Sequence, residues 1–119
     1  MTKLDVDPGA CGFICHIEVV KLDRYKALVR FQSECKQISK LAAQLGQVDF
    51  LELMRGSFGQ NPVIQSAASC GLHLSCCIPC ALVKAVEAEL GMAVKKDVAL
   101  TFRSSKETSE SPQSCFENP

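Results

Sequence analysis

Phe13–Phe31, FICHIEVVKLDRYKALVRF, decides the fold, because odd and even positions separate along it. Phe13, Cys15, Ile17 and Val19 alternate with Ile14, His16, Glu18 and Val20. After KLDR, the residues Tyr25, Ala27, Val29 and Phe31 alternate with Lys26, Leu28, Arg30 and Gln32. A period of two, rich in β-branched and aromatic residues and broken at Asp23, predicts two strands and a tight turn. The pair is an antiparallel hairpin with its odd residues inward.

Outward from the hairpin the pattern becomes helical. Ser33 is placed to cap a helix carrying Ile38, Leu41, Ala42 and Leu45 at helical spacing, stopped by Gly46. Asp49 and Glu52 have the spacing of a capping box for a short helix ended by Gly56. Asn61 and Pro62 supply a cap and a first-turn proline for a helix that runs to about Cys70, with Gly71 behind it. Pro79 opens a last helix whose Leu82, Val83, Val86 and Leu90 form an apolar stripe up to Gly91. Val98, Leu100 and Phe102 then predict a final strand. The expected fold class is α+β: a small antiparallel sheet, made of the N-terminal hairpin plus the C-terminal strand, with about four helices packed on one face.

The chain has 119 residues, enough for one domain that buries roughly two-thirds of its unfolded surface without staples. That domain is expected over residues 1–103. Residues 104–119, SSKETSESPQSCFENP, are too polar to offset their ordering entropy and read as a disordered tail that takes Cys115 with it. Thirteen basic and thirteen acidic residues give a net charge of zero. That balance supplies no field for nucleic acid. Charged residues interrupt every apolar run, so no membrane span is expected. The first residues lack the apolar run of a signal peptide and imply a cytoplasmic protein. In a reducing compartment the eight cysteines are free, metal-bound or transiently oxidised rather than a disulfide framework.

Hairpin arithmetic brings two of those cysteines together. Keeping the odd residues of both strands on one face requires paired numbers with an even sum. A three-residue connection gives the sum 46 and sets Cys11 opposite Cys35. A register shifted by two sets Phe13 opposite Cys35, with Cys11 one pair away. Cys11 lies in DPGACG, where small neighbours leave its sulfur uncrowded. Cys35 and Cys80 fall in the first turns of helices, where backbone N–H groups favour thiolate. If the last helix starts at the open end of the hairpin, the SCCIPC stretch, residues 75–80, brings Cys76, Cys77 and Cys80 to Cys11 and Cys35.

Four thiolates, Cys11, Cys35, Cys76 and Cys80, suit tetrahedral zinc or an iron–sulfur cluster, with Cys77 and His73 as substitutes. The spacing is neither a zinc ribbon nor a ferredoxin run. Cys15, on the inward face, and Cys70, at a helix end, read as core residues. His16 reads as an outward cross-strand residue, and Glu87 with Glu89 as a solvated helix face. A second reading takes Cys77 and Cys80 as a C-x-x-C redox pair, although the βαβ context of thioredoxin-like proteins is missing. A third is an interaction domain with a protein partner and incidental thiols. Acid–base groups near the thiols are few, namely Asp7, Glu34 and His73. A binding or electron-carrying module is therefore favoured over an enzyme.

GACGF, SEC, NPVIQSAA, HLSC and VEAELGMAVKKDVALTF together resemble a small family of uncharacterised bacterial and archaeal proteins, over residues 7–102. The resemblance implies cysteines at Cys11, Cys35 and Cys76 and a histidine at His73, with Cys80 the weakest match. Cys77 departs from the pattern, which weighs against the redox pair. No activity is implied.

Overall fold

Strand β2 (Cys15–Lys21) and strand β3 (Lys26–Ser33) form the hairpin. Their register runs from Cys15 opposite Ser33 to Lys21 opposite Ala27, the shifted alternative of the two. Asp23 explains the shift. Its carboxylate accepts from the N–H groups of both Tyr25 and Lys26, at 2.9 Å each, so the connection spends more residues than a minimal turn. The parity of the faces holds: Cys15, Ile17, Val19, Ala27, Val29 and Phe31 are buried. This structure is a computed structural model that describes residues 1–105, so the expected tail lies outside the described residues from position 106 onward.

The sheet has four antiparallel strands in the order β1-β2-β3-β4, which establishes the α+β class. Its remaining strands correct the sequence expectation. Strand β1 (Thr2–Val6) pairs with β2, from Thr2 opposite Val19 to Val6 opposite Cys15. Strand β4 (Gln47–Asp49) pairs with the start of β3. The strand expected at Val98, Leu100 and Phe102 is not formed, and these side chains are exposed. Alternation alone does not make a strand, because a strand needs a paired neighbour.

Among the described residues there are four α-helices, α1 (Lys36–Gln44), α2 (Phe50–Leu53), α3 (Pro62–Ser69) and α4 (Ile78–Glu89), with a 3-10 turn at Phe58–Gln60 between α2 and α3. Helix α1 turns Ile38 and Leu41 into the core. Its N-cap is Cys35, not Ser33; the Ser33 hydroxyl instead accepts from the Cys35 N–H. Asp49 caps α2 through the Leu51 N–H. Asn61 caps α3 through the Val63 N–H and also donates to the Leu53 carbonyl at 2.8 Å, so one side chain joins two helices. Gly71 and Gly91 adopt positive φ behind α3 and α4. In each case the next residue donates back five positions, Leu72 to Ala67 and Met92 to Glu87, closing a Schellman motif. One core unites the inward sheet face with Ile38, Leu41, Leu53, Val63, Leu82 and Val86. Among the described residues, no helix is long and apolar enough to cross a membrane.

Candidate thiol site

The direction of α4 decides where its cysteines lie. Glu89, at its last turn, accepts from the Thr2 hydroxyl at 2.8 Å and from the Lys21 N–H at 2.9 Å, and pairs with the N-terminal ammonium at 3.4 Å. Thr2 and Lys21 mark the turn end of the hairpin. Helix α4 spans about 18 Å at 1.5 Å per residue, close to the length of β2. Its N-terminus therefore reaches the open end of the sheet, where Cys15 and Ser33 pair. Glu89 is not part of a solvated face, since its side chain keeps only 9% of its accessible surface. Desolvation pushes its carboxyl up, but Thr2, Lys21 and the amino terminus outweigh it and hold the carboxyl below the usual range.

At the open end, Cys76 is half-buried in the turn before α4, with its N–H donating to the His73 carbonyl. Burial raises its thiol pKa, the Ile78 N–H offsets part of that, and the sulfurs of Cys77, Cys35 and Cys11 raise it again by charge repulsion. Three segments far apart in sequence thus meet electrostatically. Cys35, half-buried at the N-cap of α1, donates its S–H to Gln37 Oε1 at 3.2 Å. Cys11 is exposed in the loop between β1 and β2. That loop is folded: the Gly9 N–H donates to Asp7 Oδ1, the Gly12 N–H donates to the Gly9 carbonyl, and both glycines have positive φ. Beneath lies Cys15, fully buried, its thiol pushed up to about 11 by desolvation and then by Cys76 and Cys35.

Cys77 is the N-cap of α4 and sits half-buried beside Cys76. Cys80 is in the first turn and exposed, and His73 is exposed. Neither is among the groups that act on Cys76. The seven described cysteines are all free; Cys115 lies outside the described residues. Among the described residues, no three His, Cys, Asp or Glu side chains are gathered closely enough to hold a metal ion as they stand. Cys15 and Cys70 are core residues, as their positions predict. His16 faces outward as predicted and pairs with Asp5 at 2.7 Å across β1 and β2. Glu89 is the residue whose role sequence reasoning missed; its only signal was its place in the last turn of a helix that had to dock somewhere.

Residues 2–102 match the family model described as a family of unknown function, DUF6951. The chain belongs to that family. No curated protein and no solved structure matches it. The DUF6951 match runs from β1 to residue 102 and takes in every candidate thiol outside the tail. The resemblance of GACGF, SEC and HLSC to a family without an assigned activity agrees with it.

Proposed function

We propose that the protein binds zinc or an iron–sulfur cluster through Cys11, Cys35 and Cys76, with Cys80 as fourth ligand and Cys77 or His73 as its substitutes, and that it acts as a binding or electron-carrying module. What supports this reading is that Cys11 and Cys35, on two other segments, stand near enough to act on the Cys76 thiol before α4. Burial first, and then the neighbouring sulfurs, raise the cost of thiolate at Cys76 when no cation is present. A cation reverses the sign of that interaction: thiolates that repel one another become ligands. Sulfurs around one metal stand roughly 3.5–4 Å apart with Zn–S bonds near 2.3 Å, so ligation draws the Cys11 loop and the Cys76 turn inward. Seven free cysteines among the described residues support a cytoplasmic setting, and the balanced charge supports a partner other than nucleic acid. Cys11→Ser or Cys35→Ser should abolish metal binding and lower the melting temperature of the metal-loaded protein. Full metal content in both variants sinks the reading.

A second reading, thiol–disulfide exchange by Cys77 and Cys80, rests on their placement at the N-cap and in the first turn of α4, with Cys80 exposed. It predicts a reversible Cys77–Cys80 disulfide that survives Cys11→Ser.

A further inference from the structure

After the Schellman stop at Gly91 the chain continues to Phe102 as an arm that forms neither helix nor strand. Ala93–Asp97 line one groove with Thr2–Leu4 of β1 and with Lys84 and Ala88 of α4, so the arm leaves the helix beside the sheet edge. Val98, Leu100 and Phe102 lie beyond that groove and are 63%, 84% and 103% exposed. They alternate with Asp97, Ala99, Thr101 and Arg103, the pattern of a strand with one apolar face. Strand β1 is the other half of the arrangement. It pairs with β2 on one side, and among the described residues no strand pairs with its other side. An open edge offers a row of unpaired N–H and C=O groups to any extended segment.

We propose that Val98–Phe102 adds as a strand to the open edge of β1 in a second copy of this chain, giving a dimer with reciprocally exchanged arms. A second copy is the occupant because one chain carries both complementary parts, a strand without a sheet and a sheet edge without a strand. A twofold axis satisfies both at once. Within one chain the apolar residues of the arm stand past the groove and face solvent, where they stabilise nothing. Two arms, each covering on the order of 300 Å² of itself and as much of its acceptor, sum to about 1,200 Å², the lower bound of a specific interface. The inference is independent of the thiol site.

Light scattering of the full chain on a sizing column tests it, together with amide exchange at residues 98–102. The expected mass is twice the 12.9 kDa of one chain, with protected arm amides. The double variant Leu100→Asp/Phe102→Asp, which alters exposed positions only, should halve the mass and remove the protection while leaving the circular dichroism of the domain unchanged. A monomeric full chain overturns the proposal. So does a dimer that persists in the double variant, or a monomer with protected arm amides, which would mean that the arm closes on its own sheet.

Discussion

Replacing Glu89 by Gln keeps the shape of the side chain and removes its charge. The carboxylate accepts from the Thr2 hydroxyl and the Lys21 N–H and lies near the N-terminal ammonium, with 9% of its side-chain surface accessible. Hydrogen bonds to a charged acceptor contribute about 1.5–3 kcal/mol each. Gln still accepts one of the two, and the Lys21 N–H, on an exposed residue, turns to water. The expected net loss is therefore about 2 kcal/mol at pH 7, with the ammonium contact discounted for salt screening. For a domain of this size that loss lowers Tm by about 10 °C. The sign of the pH dependence follows from the depressed carboxyl. Its contribution is present above the unfolded value of about 4.3 and is lost as pH falls through the lower folded value. Thermal unfolding followed by circular dichroism from pH 7 down to pH 3 should show a gap between the two proteins that closes on acidification. Equal stability at pH 7, or a gap that ignores pH, refutes the clamp and with it the argument for the direction of α4.

Asn61→Ala removes the cap of α3 and the tie to the Leu53 carbonyl; a loss of about 1–2 kcal/mol is expected in denaturant unfolding, and less than 0.5 kcal/mol would contradict it. With chelator present, a thiol reagent near pH 8 should, among the seven described cysteines, modify Cys80 and Cys11 first and leave Cys15 and Cys70 unmodified, read by peptide mass mapping. Cys15→Ser puts a hydroxyl into a fully buried apolar site and should cost about 1–3 kcal/mol in thermal melts, whereas Cys80→Ser should be neutral in the absence of metal.

How far the sequence could be read depended on whether the signal was local. The parity of Cys15–Val19 and Ala27–Phe31 and the Asn61–Pro62 and Gly91 signals are set within a turn of chain, and each is realised in place, whereas Phe13 falls before the strand and is exposed. Strand β1 has the same alternation, with Thr2, Leu4 and Val6 inward, but it is only five residues long and its charged Lys3 and Asp5 give it the local look of a polar terminus. Val98–Phe102 has the alternation without a neighbour in this chain to pair with. Register arithmetic alone predicts Cys11 and Cys35 at the same end of the sheet. Bringing in Cys76 required the direction of α4, and that direction is set by Glu89 through partners 87 and 68 residues away, a separation that no local pattern reports.

The most direct test of the thiol site is metal content per chain in protein purified without oxygen, measured by elemental analysis alongside the visible absorption spectrum. The account predicts bound zinc with no visible band, or iron and sulfide with a charge-transfer band, and loss of either in Cys35→Ser and Cys76→Ser. Wild-type protein that carries no more metal than the Cys11→Ser/Cys35→Ser/Cys76→Ser variant, before and after loading with zinc or with iron and sulfide, would contradict it.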